Sequence, residues 1–300
     1  MRELSPINIA PEQNYVAYFL TLACNLQCPY CINQHNSGVQ KVHVNKRNMT
    51  AEEWVVAANR LVLRDDLPLT LQGGEPTLYK GFYYIINKVK ESIKMDLLTN
   101  MYFNADEFIS KVPVWRFTRE APYAAIRVSY HPGQNNIDEL VKKTLKLQDA
   151  GFRVGIYSLE TPDPETKRHV EEVRESCLKQ GIDFRYKEFL GEWDGKLRGK
   201  FKYDDSVLGR EMKTCECRTT ELIVDPAGYV YRCHADLYKS RSPMAHILDE
   251  DFNETSLNKF RGCDKYGDCN PCDVKVKTNR FQIFGHTSVE IRNIKGNKVG

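Results

Sequence analysis

Short strand-like segments alternate with helical segments over roughly the first two thirds of the chain. The strand-like segments are rich in β-branched and aromatic side chains and end at turn residues. They comprise residues 15–21, 67–72, 95–99, 125–130, 153–159 and 184–190. Strands separated by helices pair in parallel through right-handed crossovers. Because eight such units close a full barrel, six predict an α/β fold with a partial (β/α)6, TIM-like barrel.

The helical segments carry their own start and stop signals. Residues 50–66 begin with a threonine and have a glutamate three residues later, which predicts a capping box at the helix N-terminus. Residues 136–151 and 162–181 each end at glycine, a common residue after the last turn of a helix. Cys177 lies in the last segment, where we expect a small buried apolar residue.

The composition is that of a globular protein. Of 300 residues, 41% are apolar and 28% are charged, which is enough to bury a core. A net charge of +3 does not indicate a nucleic-acid partner. No apolar stretch is long enough to span a membrane, and residues 1–14 lack the apolar region of a signal peptide. We therefore expect a cytoplasmic protein without a membrane partner, whose ten cysteines stay reduced.

Those cysteines fall into two groups, which suggests two metal sites. Cys24, Cys28 and Cys31 follow the first predicted strand. Ligands of parallel α/β folds bind at the C-terminal ends of the strands, so this loop should lie at the barrel mouth. Three thiolates fit three of the four irons of a cubane cluster and leave the fourth iron open to a ligand. A structural zinc with a distant fourth ligand, His35 or His43, is the alternative.

The segment CNLQCPYC, residues 24–31, resembles the CxxxCxΦC signature of the radical S-adenosylmethionine (SAM) enzymes, with Tyr30 as the aromatic residue. A second motif of that family, GGEP, occupies residues 73–76, directly after the second predicted strand. The resemblance covers residues 12–200 and implies a radical SAM barrel core there. It implies a [4Fe-4S] cluster on the three cysteines with SAM at the open iron. Reductive cleavage of SAM would give a 5′-deoxyadenosyl radical that abstracts hydrogen from the substrate.

The resemblance also implies cofactor-binding roles for residues that follow the strands. Two glycines would let the backbone approach the SAM ammonium group closely, the cluster-loop aromatic would contact adenine, and polar residues would face SAM or substrate. These residues are Gly73, Gly74 and Glu75 at the ammonium group, Tyr30 at adenine, Ser129 at SAM, and Thr99 and Asn100 at ligand or substrate. A plain turn, core packing and local capping are the corresponding structural alternatives.

Near the C-terminus, Cys217, ten residues, Gly228, four residues and Cys233 resemble the start of the SPASM extension or its shortened form, twitch. A predicted hairpin over residues 221–233 would return both cysteines to one end. The four-cysteine run of the full SPASM pattern is absent, so the resemblance implies one auxiliary iron–sulfur cluster, [4Fe-4S], in a small hairpin and loop-rich domain over residues 201–290. Its expected ligands are Cys217, Cys233, Cys269 and Cys272, with Cys215 and Cys263 as additional or alternate ligands. A structural zinc ribbon is the alternative.

An auxiliary cluster can accept an electron from a substrate radical or orient the substrate. We therefore expect a net oxidation or rearrangement of a small molecule, with an electron donor such as flavodoxin or ferredoxin. The first strand begins by residue 15, so we expect no leader-binding module before it, although a peptide or protein substrate recruited in another way stays open. Transfer-RNA modification and a non-catalytic zinc module are the remaining alternatives.

Catalytic residues cannot be assigned from these patterns, but three side chains near the predicted strand ends are candidates. His131, Glu160 and Glu188 could each bond the substrate or act as a general base. A salt bridge is the structural alternative for each. Lys187 and Glu188 are consecutive in a strand, so at most one of them points into the barrel.

Overall fold

A computed structural model describes residues 4–35, 47–279 and 282–295. Its helices are α1 (Ile32–His35), α2 (Ala51–Asn59), α3 (Phe82–Lys88), α4 (Ala105–Lys111), α5 (Ile137–Asp149), α6 (Pro164–Lys179), α7 (His234–Tyr238), α8 (Glu254–Leu257) and α9 (Pro271–Val274), with 3-10 turns at Pro76–Leu78 and Val114–Phe117. Its strands are β1 (Ile7–Asn8), β2 (Tyr15–Thr21), β3 (Leu61–Val62), β4 (Leu69–Gly73), β5 (Met95–Thr99), β6 (Ile126–Ser129), β7 (Val154–Glu160), β8 (Asp183–Glu188), β9 (Gly191–Trp193), β10 (Lys196–Arg198), β11 (Lys213–Thr219), β12 (Glu221–Val224), β13 (Tyr229–Tyr231), β14 (Ala245–His246), β15 (Arg261–Tyr266), β16 (Lys277–Asn279), β17 (Gln282–His286) and β18 (Val289–Lys295).

The predicted partial barrel is confirmed. Within the described residues, nine strands form one sheet in the order β14-β13-β12-β2-β4-β5-β6-β7-β8. The strands from β2 to β8 in that order are the six predicted ones, and each pairs in parallel with its neighbour. Loops that follow their C-terminal ends therefore gather at one mouth.

The predicted hairpin also forms, but it joins the barrel sheet. β12 and β13 pair antiparallel around a turn in which Gly228 has φ +89°, a value that favours glycine. β12 then pairs in parallel with β2, with Glu221 opposite Tyr15. The sheet therefore continues from the barrel into the C-terminal region without a break, a contact that the local sequence pattern did not predict.

Helix ends follow the predicted caps, with one correction. The Glu53 backbone N–H donates to Thr50 Oγ1 at 3.2 Å and the Thr50 N–H donates to Glu53 Oε2 at 2.8 Å, so the capping box forms. The prediction of helix as far as residue 66 is wrong, because α2 ends at Asn59 and β3 pairs with β1 immediately afterwards. Pairing with a distant strand has overridden the local helical pattern.

Alternation along β2 separates two apolar layers. Val16, Tyr18 and Leu20 pack in the main core between sheet and helices. Ala17 and Phe19 point to the other face, where they pack with residues of β12, β13 and α7. Cys177 is fully buried in the main core, as expected. No helix among the described residues is both long enough and apolar enough to cross a membrane.

Candidate functional site

The loop after β2, residues 22–31, carries the first group of cysteines and is called the cluster loop. Cys28 is buried, Cys31 is half-buried and Cys24 is exposed, and the Cys31 N–H donates to the Cys28 carbonyl at 3.0 Å. Burial raises the pKa of the Cys24 and Cys28 thiols, and neighbouring thiols contribute to both shifts, so that the pKa of Cys28 is raised to about 12. Metal binding at this loop must therefore displace protons.

The GGEP segment is bonded to the start of this loop. The Gly74 N–H donates to the Thr21 carbonyl and the Glu75 N–H donates to the Ala23 carbonyl, each at 2.8 Å. A Cβ atom on Gly74 would lie 2.1 Å from the Ala23 oxygen, and one on Gly73 would lie 1.9 Å from the Thr21 oxygen. In this structure the two glycines allow the backbone of the cluster loop to approach closely.

Glu75 connects this segment to the end of β5. Its carboxylate is fully buried and accepts hydrogen bonds from Thr99 Oγ1 at 2.8 Å, from Thr77 Oγ1 at 2.6 Å and from the Asn100 N–H at 2.6 Å. Burial raises the pKa of Glu75, while these donors oppose the rise. Both Glu75 and Thr99, predicted cofactor contacts, thus have protein partners.

Asn100 carries the connection back to the cysteines. Its Nδ2 donates to Asn25 Oδ1 at 2.8 Å and lies 3.7 Å from Cys24 Sγ, to which the Leu26 N–H also donates at 3.4 Å. Donors of this kind stabilise a metal-bound thiolate. The Asn100 Oδ1 atom is buried without a partner in the described part of the chain. The loop, its donors and this orphan oxygen fit a three-cysteine cluster with a polar ligand beside it.

Tyr30 and His131 meet across the barrel mouth. The Tyr30 hydroxyl lies 3.2 Å from His131 Nδ1, and the His131 N–H donates to Asn135 Oδ1 at 2.8 Å. Burial, together with the positive charge of Lys187, lowers the pKa of His131 to about 4. Ser129 ends β6 two residues earlier, half-buried. The structure therefore brings three predicted site residues to the mouth.

Strand alternation separates Lys187 from the two glutamates. Lys187 Nζ lies 5.4 Å from the centre of the Tyr157 ring, inside the barrel. Glu188 is exposed and accepts from the Lys200 N–H at 2.9 Å, and Glu160 is exposed opposite it in the β7–β8 pair. The structure does not bring Glu160 or Glu188 to the cluster loop. The inward-facing Tyr157 and Lys187 could have been found from the polar positions that alternate along β6, β7 and β8, because alternate side chains of a strand point to the same face.

A second group of thiols lies in the sheet β15-β11-β18. Cys215, Cys217 and Cys263 have sulfur atoms within 4.8 Å of one another, the closest such metal-ligand group among the described residues. Hydrogen bonds from the other two thiols lower the pKa of Cys263, which favours a thiolate. One tetrahedral zinc would hold thiolates about 3.8 Å apart, whereas a cubane places each on a different iron and holds them further apart.

The other three C-terminal cysteines flank this group. Cys233 caps α7, Cys272 lies in α9, and Cys233 and Cys269 pack against the cluster of Cys215 and Cys217. The structure thus places the Cys217 sulfur beside those of Cys215 and Cys263, with Cys233 and Cys269 packed against the same cluster.

A buried carboxylate holds α7 and α9 together. Asp273 accepts hydrogen bonds from the N–H groups of His234 and Ala235 at 2.8 and 3.0 Å, and lies 2.8 Å from His234 Nδ1. These contacts fix the position of Cys233 relative to Cys272. Of the alternative zinc ligands, His35 ends α1 and His43 lies outside the described residues.

The family model of the Radical SAM superfamily matches residues 18–181 of the chain, including both motifs. The chain belongs to the radical SAM superfamily. It is 22% identical over 247 residues to a GTP 3′,8-cyclase of Rhizobium meliloti (strain 1021), and 22% identical over 252 residues to a GTP 3′,8-cyclase of Sinorhizobium medicae (strain WSM419). These alignments cover 81% and 83% of the chain but only 61% and 62% of the relatives' own lengths.

Solved structures of this superfamily share the fold. Streptococcus suis SuiB bound to precursor peptide SuiA superposes with a TM-score of 0.53 at 14% identity, over 82% of this chain and 64% of that one. Native anSMEcpe with bound AdoMet superposes with a TM-score of 0.53 at 16% identity, over 81% of this chain and 80% of that one. At these identities the likeness shows the fold alone.

Proposed function

We propose that the chain is a radical SAM enzyme that cleaves SAM reductively and abstracts hydrogen from a small molecule or a peptide. The observation that carries the proposal is the direct bonding of the cluster loop to the GGEP segment through Gly74 and Glu75. Membership of the superfamily supports a [4Fe-4S] cluster on the first three cysteines. When bound, that cluster would supply the electron that cleaves SAM.

The residues of the chain have separate tasks in this proposal. Cys24, Cys28 and Cys31 hold three irons, and Asn100 donates toward the Cys24 sulfur. Glu75 fixes the end of β5 against the loop, so the carbonyl oxygen of the Asn100 side chain keeps its place beside the cluster.

We also propose an auxiliary [4Fe-4S] cluster around Cys215, Cys217 and Cys263, because their thiols converge; binding to separate irons would require the sulfurs to move apart from their present spacing, at which one zinc is the alternative. Cys233 and Cys269 are the candidates for the fourth ligand, since both pack against the cluster of Cys215 and Cys217. This cluster would lie on the SPASM or twitch side of the protein and accept an electron from the substrate radical. A reducing compartment such as the cytoplasm, with flavodoxin or ferredoxin as donor, suits these thiols.

Two comparisons bear on the substrate class, and they favour different substrates. The relatives named GTP 3′,8-cyclase favour a small molecule. A neighbour bound to its precursor peptide favours a peptide. We place the small molecule first, with a net oxidation or rearrangement as the reaction.

Product analysis tests the radical chemistry. After anaerobic reconstitution, dithionite and SAM should yield 5′-deoxyadenosine. A triple variant with alanine at Cys24, Cys28 and Cys31 should lose the product, whereas Cys177→Ala, a matched removal of a thiol buried in the core, should keep it. A wild-type protein that is fully loaded with iron yet forms no 5′-deoxyadenosine would exclude the proposal.

Metal analysis of the same triple variant tests the auxiliary site. With the first site removed, about four irons with sulfide should remain on the C-terminal cysteines. Adding Cys217→Ala should remove them. One zinc and no iron in the triple variant would show a structural zinc site instead.

A further inference from the structure

Lys187 is a cation inside the barrel whose role the proposed radical chemistry does not explain. Its Nζ atom lies 5.4 Å from the Tyr157 ring centre. In the part of the chain that the structure describes, no carboxylate lies within ion-pair distance of this atom. A half-buried ammonium without a counter-ion is costly, because it gives up hydration without gaining a charge partner.

The carboxylates nearest to the barrel interior are already paired with other cations. Asp96 lies 2.7 Å from Arg119 and 2.9 Å from Arg127, both on its Oδ2 atom. Glu221 lies 2.7 Å from Lys277 Nζ. These acids cannot neutralise Lys187 without losing the partners they have.

Other cations add to the positive potential around Lys187. Burial, together with the charges of Arg127 and Lys275, lowers the pKa of Lys187 to about 8, while Cys272 opposes the change. Lys187 in turn depresses the pKa of His131, which bonds to Tyr30 of the cluster loop. Lys187 is therefore within electrostatic range of both His131 and Cys272.

A hydrogen-bond donor stands beside it without a partner. The Tyr157 side chain is only 8% exposed, and its hydroxyl has no partner among the described residues. Burial raises the pKa of this hydroxyl, so it stays protonated and can donate. An unpaired buried hydroxyl is destabilising, and a bound acceptor would satisfy it.

We propose that Lys187 and the Tyr157 hydroxyl form a subsite for an oxyanion of the substrate, a phosphate or a carboxylate group. This inference rests on the proposed function, because it takes the barrel interior as the substrate site. An oxyanion accepts from both groups at once and supplies the charge that Lys187 lacks.

Competitive acetylation tests the subsite on the wild-type holoprotein. Near pH 8 an amine with a lowered pKa reacts faster than an ordinary lysine, which stays mostly charged. Limiting acetic anhydride is added anaerobically with inorganic phosphate, with propionate or with chloride at equal ionic strength. Modification at Lys187 is then read by peptide mass spectrometry, with the exposed Lys196 as the internal control.

Phosphate or propionate should protect Lys187 and leave Lys196 unchanged. With the probe at about ten times its dissociation constant, mass action predicts about a tenfold fall in modification. Protection by phosphate alone would identify a phosphate-bearing substrate, and protection by propionate alone a carboxylate-bearing one. In calorimetry, the protecting anion should bind Lys187→Gln far more weakly than Lys196→Gln.

Two results would overturn the proposal. One is equal modification of Lys187 with either oxyanion and with chloride. The other is unchanged anion affinity in Lys187→Gln. Because neither measurement follows SAM cleavage, a failure here leaves the radical chemistry standing, and a failure to form 5′-deoxyadenosine leaves the anion result interpretable.

Discussion

Replacing Gly74 by alanine tests how the cluster loop is held in place. The added Cβ would lie 2.1 Å from the Ala23 oxygen and 2.6 Å from the Leu22 oxygen. Both contacts are with backbone atoms, so no rotamer change can relieve them. Gly74 does not have a positive φ, unlike Gly73 at +149°. The effect of the substitution therefore reports the close approach of the loop and not a strained backbone.

The cost follows from the bonds that must lengthen. The loop has to move by roughly an ångström to reach ordinary van der Waals separation. That movement breaks the two 2.8 Å hydrogen bonds made by the N–H groups of Gly74 and Glu75. At about 0.5–1.5 kcal/mol each, their loss costs about 1–3 kcal/mol. The substitution should mainly destabilise the position of the loop, because the strands of the sheet beneath it keep their hydrogen bonds to one another.

Iron content and SAM cleavage give the assay. Gly74→Ala should lose the iron of the first cluster and form little 5′-deoxyadenosine, while the iron on the C-terminal cysteines is retained. Gly262→Ala is the matched control, because a Cβ there meets nothing within 4 Å. If Gly74→Ala binds iron and cleaves SAM like the wild type, the loop is not held by this contact.

Three further predictions concern protonation, packing and cluster potential. In the folded protein His131 stays neutral down to about pH 4. In the unfolded chain the same imidazole takes up a proton as the pH falls below 6.5. The free energy of unfolding should then fall by up to about 1.4 kcal/mol per pH unit. In urea titrations from pH 7 to 5, His131→Gln should reduce this dependence of stability on pH. Identical slopes for the variant and the wild type would contradict the prediction. Asp273→Ala leaves three donors without their acceptor and should cost about 2–4 kcal/mol in urea unfolding; a loss no larger than that of the exposed Asp264→Ala would refute it. Asn100→Ala removes the side-chain donor near Cys24 and should lower the reduction potential in titrations followed by electron paramagnetic resonance, whereas an unchanged or higher potential would contradict that role.

The barrel could be predicted because its signals are local. Each of the six strands combines apolar alternation with flanking turn residues, and the cap of α2 needs only Thr50 and Glu53. Residues 60–66 show where local evidence stops, since a helical pattern there gives way to pairing of β3 with β1. The sequence of the segment itself does not reveal a pairing partner some fifty residues earlier in the chain.

The site was harder to predict for the same reason. Motif spacing identifies Cys24 and Gly74 as site residues, but it does not show that Gly74 contacts the loop that carries Cys24. Among the C-terminal cysteines, Cys215 and Cys263 meet because β11 pairs with β15, which sets them opposite each other. Sequence spacing favoured Cys233 as a partner of Cys217, and strand register cannot be read from spacing alone.

The parallel pairing of β12 with β2 has a consequence for how the protein could be divided. A fragment ending near residue 200 would expose the backbone donors and acceptors of β2, with Ala17 and Phe19 uncovered on one face. Such an edge is a template for aggregation. The barrel and the cysteine-rich C-terminal region should thus be inseparable in practice. Expressing, exchanging or shortening either part at that point should destabilise the other.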